Sequence, residues 1–106
     1  MLKFMVVLYR RPDMTHSQFR RYMEEVHGPL ALKLPGLRKY TQNYICNDPK
    51  RLPGWDCIVE LFFDNWEGME AAWASPQGKA ATDDLPLFAD LTRSTWSAME
   101  EVKVLT

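Results

Sequence analysis

The stretch Leu2-Lys3-Phe4-Met5-Val6-Val7-Leu8-Tyr9 decides how the rest of the chain is read. Its alternating sets are Leu2, Phe4, Val6 and Leu8 against Met5, Val7 and Tyr9, so both faces are apolar. A strand of that kind is covered on both sides, because a face left in water forfeits its hydrophobic burial. It predicts a strand covered on both faces. Arg10-Arg11-Pro12-Asp13 ends it, since proline has no backbone donor to give a neighbour.

Working outward, Trp55–Phe63 has the same two-sided character. Cys57, Val59, Leu61 and Phe63 share one face, and Ile58 and Phe62 share the other, interrupted by Glu60. Between these strands, Thr15 is a good N-cap and Gln18 completes a capping box. A helix from about His16 to Val26 then turns Phe19, Tyr22, Met23 and Val26 inward. Gly28 and Pro29 are expected to end it, by a left-handed cap and by ring sterics, with one further turn over Leu30–Leu34 before Pro35-Gly36. Leu37–Cys46 alternates as a more polar strand, with Tyr40, Gln42 and Tyr44 on one face. Asn47–Gly54 is a turn-rich loop.

Beyond Phe63, Asp64 is expected to cap a helix with Glu67 at the capping-box position, and Trp66, Met69, Glu70 and Trp73 follow at helical spacing. Trp66 and Trp73 are expected in the core. Ser75-Pro76 starts a second piece, which Asp83-Asp84-Leu85-Pro86 ends. Trp96–Leu105 supplies the last strand. The order β-α-β-β-α-β is the ferredoxin-like α+β unit, a four-stranded antiparallel sheet with its helices on one face. The opposite face of strands one and three is then bare and apolar, which predicts a homodimer packed sheet to sheet.

At 106 residues the chain is read as one domain, residues 1–106, with 46% apolar and 25% charged residues, an ordinary globular composition. No apolar run reaches bilayer length, and the N-terminal apolar stretch lacks a small-residue cleavage site, so a cytoplasmic, non-membrane protein is expected. The net charge is −1, but residues 1–53 carry ten Lys/Arg against four Asp/Glu, and residues 54–106 carry three against ten. The basic residues are scattered pairs rather than one surface, so nucleic acid is not an expected partner and the two halves are expected to meet each other. Cys46 and Cys57 fit no zinc spacing, and Cys57 reads as a small buried apolar residue.

Several pieces together carry a family likeness. They are Phe19-Arg20-Arg21-Tyr22, His27-Gly28-Pro29-Leu30, Leu34-Pro35-Gly36-Leu37-Arg38-Lys39-Tyr40-Thr41-Gln42-Asn43, Glu60-Leu61-Phe62-Phe63-Asp64, and Ser75-Pro76-Gln77-Gly78-Lys79-Ala80 followed by Asp83-Asp84 and Phe88. In order and spacing the chain resembles the EthD family of the dimeric α/β-barrel superfamily over essentially its whole length. The resemblance implies a two-subunit barrel with a ligand cavity between sheet and helices in each subunit. EthD is associated with fuel-ether degradation beside a cytochrome P450 system. The wider superfamily includes muconolactone isomerases, polyketide cyclases, cofactor-free monooxygenases and haem-degrading oxygenases, so function has to be argued from the site.

His27 is the main candidate, because an imidazole can give or take a proton near neutrality without a metal. A helix-end histidine that hydrogen-bonds the last free carbonyls is an equal reading of the residue alone, and the family likeness favours function. Tyr40 is the candidate polarising group, and Tyr22, Gln42, Tyr44 and Phe88 are candidate ligand contacts. Packing against a helix is the competing fate of Tyr44 in particular. Asp83-Asp84 reads first as a helix end, with a general base or metal ligand as the other reading; two adjacent carboxylates are poor metal evidence. His16, in the first turn of a helix, is expected in solvent. The chain has no phosphate-cradling loop, dinucleotide fingerprint or nucleophile elbow, and neither a cofactor nor a metal is expected. The expected function is a cofactor-independent acid/base enzyme, of isomerase, cyclase, dehydratase or oxidoreductase type, acting on a small apolar carbonyl or phenolic compound. The alternative is a non-catalytic accessory protein that binds a ligand for an oxygenase of cytochrome P450 type.

Overall fold

The computed structural model describes residues 1–52 and 54–105. Four strands form one sheet: β1 (Leu2–Leu8), β2 (Lys39–Tyr44), β3 (Cys57–Phe63) and β4 (Thr95–Glu100). Their order is β2-β3-β1-β4 and every pairing is antiparallel. The two strands that are apolar on both faces therefore lie at the centre. The fold is the ferredoxin-like α+β arrangement. Register sets the faces: Phe4 pairs with Leu61 and Val6 with Val59, and Tyr40 and Gln42 stand opposite the same two β3 residues. That face is packed beneath the helices around Leu8, Phe19, Met23, Phe63 and Phe88.

The helices are α1 (His16–Tyr22), α2 (Gly28–Ala31), α3 (Trp66–Ala74) and α4 (Pro76–Asp84), followed by a 3-10 turn at Leu85–Leu87. Thr15 and Gln18 make the expected capping box, with both reciprocal bonds present. Ser75 caps α4 with Pro76 as its first residue, also as expected. Cys57 is fully buried. The charge-opposed halves meet inside the chain, where Lys3 pairs with Glu60 and Glu101, Arg10 with Asp56, and Arg38 with Asp64.

Several expectations are corrected. The first helix does not stop at Gly28. Between α1 and α2 the chain makes a π-helical turn, Met23–His27, in which the Gly28 N–H bonds the Met23 carbonyl five residues back. Gly28 is right-handed (φ −54°), and the left-handed residue of this region is Gly36 (φ 77°), which makes the turn before β2. Val26 was expected inward and is 42% exposed, because the widened turn rotates it out. The second helical layer is capped by Asn65, whose side chain accepts the Gly68 N–H, and not by Asp64, which is held by Arg38. Helix α3 thus begins one residue later than expected, and Trp66 lies in its first turn, 54% exposed, instead of in the core. Strand β2 is shorter at both ends than expected, β3 starts at Cys57 instead of Trp55, and β4 ends at Glu100, leaving Val102, Val104 and Leu105 exposed. The turn-rich loop expected over 47–54 includes Pro53, which lies outside the described residues.

The need for glycine at position 28 is spatial. A Cβ there would lie 2.9 Å from the Met23 carbonyl oxygen and 3.1 Å from Gln42 Nε2. In an open helix interior alanine is favoured over glycine by about 1 kcal/mol. Here the close neighbour is a backbone oxygen that cannot move without opening the turn, so the clash outweighs propensity. Gly28→Ala is expected to destabilise the fold by roughly 1–3 kcal/mol, measured by urea unfolding; a variant as stable as the parent would contradict this account of the turn.

Candidate functional site

The π turn fixes which side chain enters the interior. At about 100° per residue, an unbroken α-helix would put Val26 about 20° from the line of Phe19 and His27 about 80° away. Closing a turn on the fifth residue instead of the fourth holds the next residue back onto the inner face. Phe19, Met23 and His27 accordingly form the buried line, and His27 is only 7% exposed.

The partner of His27 comes from the far end of α4. Gly78, Ala81 and Asp84 are that helix's buried residues, while Asp83 points outward to Lys79. A carboxylate in the last turn of a helix is disfavoured by the helix dipole, and one that is 8% exposed is also deprived of water. Two donors offset both costs. His27 Nδ1 lies 2.9 Å from Asp84 Oδ2, and the Tyr22 hydroxyl donates to Asp84 Oδ1 at 2.6 Å. Phe88 closes the back of the group, stacked on Tyr22 at 5.0 Å and tilted against the His27 ring at 4.8 Å. Phe88 is itself pinned, because its carbonyl accepts the Arg11 N–H and its neighbour Ala89 bridges to Arg10.

Burial lowers the His27 pKa from its ordinary value, and the opposing influence of Asp84 does not overcome it. The resting ring is therefore neutral at pH 7. With Nδ1–H donating to Asp84, the lone pair sits on Nε2. That nitrogen has no hydrogen-bond partner among the described residues. Burial and Asp84 together push the Tyr22 phenol up to about 12, so it stays a proton donor to the carboxylate throughout the neutral range.

His27 lines a cavity of about 390 Å³ between sheet and helices. Its walls are mostly apolar: Phe4, Val6, Leu8, Leu34, Val59, Leu61 and Leu85, with Trp73 as the large aromatic wall. Leu91 and Trp96, the latter on the edge strand β4, also line it and are partly exposed, Trp96 by 53%. No Lys, Arg, Asp or Glu is among the lining residues. The polar groups in the lining are His27, Tyr40 and Thr82, together with the indoles of Trp73 and Trp96.

The cavity thus brings together two of the sequence candidates, His27 and Tyr40. The other four are not among the lining residues. Tyr22 and Phe88 stand behind His27. Gln42 stands behind Tyr40, donating from Nε2 to the Tyr40 hydroxyl at 2.9 Å and to the Met23 carbonyl at 3.0 Å. The Tyr44 hydroxyl donates to Gln42 Oε1 at 2.7 Å, and its ring lies 4.5 Å beneath the Arg20 guanidinium, packed on α1. Burial raises the Tyr40 and Tyr44 phenols, keeping both protonated. His16 is in solvent, paired with Asp56 at 3.0 Å. The residue that sequence reading misplaced is Asp84, expected as a helix end in solvent. Its signal was its position three residues after Ala81, on the inner stripe of α4, where Asp83 is not. Among the described residues no group of three or more His, Cys, Asp or Glu side chains is arranged to hold a metal ion.

The family model EthD domain matches residues 11–92, which spans every element from the turn before α1 to the loop before β4. The chain is similar to a conidial pigment biosynthesis dehydratase EthD of Metarhizium robertsii, 27% identical, with 85% of this chain and 75% of the relative covered. It is also similar to a decarboxylase of Claviceps purpurea, 30% identical, covering 81% of this chain and 72% of that one. Among solved structures, an EthD family protein of Bacillus halodurans superposes with a TM-score of 0.82 at 27% identity, covering 96% of this chain and 100% of the other. With the family model running through both halves of the site and the fold in agreement, this chain belongs to the EthD family.

Proposed function

We propose that the protein is a cofactor-independent acid/base enzyme acting on a small, largely apolar carbonyl or phenolic compound. The observation that carries this is the buried Asp84–His27 pair, which leaves Nε2 as the unengaged nitrogen of a cavity-lining imidazole. A carboxylate hydrogen-bonded to Nδ1 fixes the tautomer and steadies the imidazolium that forms when Nε2 takes a proton. Tyr40 supplies the complementary group, a protonated phenol on the same cavity wall. Nε2 removes a proton next to the ligand carbonyl, and the phenol stabilises the oxygen on which negative charge develops. A cavity of about 390 Å³ accommodates a compound of two or three fused rings.

Loss of water and loss of carbon dioxide are the chemistries named for the two curated relatives. Loss of water by this route begins with removal of the proton next to a carbonyl by the neutral His27, and the imidazolium so formed returns that proton to the hydroxyl on the neighbouring carbon, which departs as water as the carbon–carbon double bond forms. A carboxylate substrate would need a cation to receive it, and no Lys or Arg lines the cavity. The dehydratase-type reading is therefore the one favoured for this chain, over an accessory role that would need no placed base.

The same chain is proposed to act as a homodimer through the open sheet face. That face carries Met5, Val7, Ile58 and Met99 around a polar island in which Glu60 accepts from Lys3, Thr41 and Asn43. Phe62 is covered there by the flanking Lys3 and Lys39. Ile58→Glu is expected to convert a dimer to a monomer in sedimentation while leaving the cavity side intact, and a parent protein that sediments as a monomer would remove the proposal.

The acid/base step has a test that needs no natural substrate. β-Tetralone is a bicyclic ketone with acidic hydrogens beside its carbonyl, and their exchange in deuterium oxide is followed by proton NMR. The protein is expected to accelerate exchange, and His27→Ala to lower the catalysed rate by roughly 10²–10⁴-fold with the fold retained by circular dichroism. The active base is the deprotonated ring, whose pKa is held below the ordinary 6.5. Exchange should therefore be level across neutral pH and fall on the acid side, with a midpoint below that value. Exchange by His27→Ala at the parent rate would sink the assignment.

A further inference from the structure

We propose that Gln42 is a positioning residue that fixes Tyr40 as a proton donor toward the cavity and latches that donor to the helical turn carrying His27; this rests on the acid/base reading above. The direction of each hydrogen bond follows from one fixed point. The Met23 carbonyl can only accept, so the Gln42 atom 3.0 Å from it is the amide nitrogen. That nitrogen also stands 2.9 Å from the Tyr40 hydroxyl, so the hydroxyl oxygen is the acceptor there. The amide oxygen is left facing Tyr44 at 2.7 Å, and Tyr44 must donate to it.

Both hydrogens and the oxygen of the amide are thereby engaged, and Gln42 cannot receive the Tyr40 proton. No other acceptor for it is present among the described residues, and Tyr40 lines the cavity. The phenol is thus held in one polarity, with its oxygen toward Gln42 and its proton available to a ligand oxygen. The same amide joins two elements. The Met23 carbonyl takes the Gly28 N–H from within the π turn and the Gln42 N–H from β2. Gly28 has the room for this approach only because it lacks a side chain, since a Cβ would sit 3.1 Å from Gln42 Nε2. The base, carried by the π turn, and the donor, carried by β2, are therefore set relative to each other through one side chain.

Gln42→Glu reverses the polarity at little change in size. A carboxylate accepts from both phenols, draws the Tyr40 proton away from the cavity and faces the Met23 carbonyl without a hydrogen to offer. With β-tetralone as probe, exchange in Gln42→Glu is expected to fall by roughly 10–100-fold in kcat, with KM nearly unchanged. The carbonyl stretch of bound β-tetralone, carrying an isotopically labelled carbonyl, should lie at lower frequency in the parent. It should return to the free value both in Gln42→Glu and in Tyr40→Phe. A merely structural role for Gln42 would not move that band. Gln42→Met, similar in volume and without a donor, carries the same test should the glutamate variant fail to fold, and it is expected to weaken the shift and slow exchange. Parent-like kcat and an unmoved carbonyl band in a folded Gln42 variant would overturn the proposal alone. A parent protein that neither binds β-tetralone nor exchanges its hydrogens would overturn the acid/base reading beneath it.

Discussion

The widened helical turn at Met23–His27 is the constraint on which the site depends, because it decides that an imidazole and not Val26 faces the space beneath the sheet. A π turn sacrifices regular hydrogen bonding and is uncommon, and where one is found it often marks a functional position. Here its cost is met locally. The Gly28 N–H closes the turn, Gln42 supplies a second donor to the Met23 carbonyl, and Gly28 removes the side chain that would block both. Sequence, backbone geometry and packing agree at one point, and the imidazole is the result.

An imidazole delivered to an apolar interior needs a partner, and the second constraint is the buried carboxylate that provides it. Asp84 sits where the helix dipole and the lack of water both oppose a negative charge. The Tyr22 and His27 hydrogen bonds make that position tenable, and hydrogen bonds to charged groups contribute about 1.5–3 kcal/mol each. Removing either donor leaves a carboxylate under-satisfied in a dry place, so the three side chains stand or fall as a unit. The aromatic ring of Phe88 lies against two of them and keeps water from the back of the group. The unengaged ring nitrogen, Nε2, is the one directed away from this assembly.

The division of labour across the sheet follows from the strand order. The central strands β1 and β3 give their even-numbered and odd-numbered residues, respectively, to the cavity face, and edge strand β2 adds the polar row Tyr40, Gln42, Tyr44 to it. Only the first of that row reaches the cavity. The next is spent on orienting it, and the last is spent on α1, under Arg20. On the opposite face the apolar residues surround the Lys3–Glu60 pair, a polar island in an otherwise apolar surface.

Much of this was legible in the chain as written. Two-sided apolar runs at Leu2–Tyr9 and Trp55–Phe63 marked those strands as covered on both faces, because alternation with period two shows directly which faces must be covered. The Thr15–Gln18 and Ser75–Pro76 signals marked helix starts correctly because capping is local chemistry. His27 and Tyr40 were legible as candidates by residue type and family likeness. What sequence periodicity could not supply was the change of helical pitch after Tyr22, since a regular 3.6-residue repeat turns Val26 inward and stops the helix at Gly28-Pro29. Nor could it choose Asn65 over Asp64 as a cap, because both are good capping residues and only the folded chain brings Arg38 to Asp64. The burial of Asp84 was a tertiary decision of the same kind. A carboxylate at a helix end belongs in water unless two donors meet it, and His27 and Tyr22 come from 57 and 62 residues away. Local pattern along the chain thus accounts for the sheet, its helices and the residue types available for chemistry, whereas which of those residues meet was settled by folding, because pairing across such separations depends on packing and not on spacing along the chain.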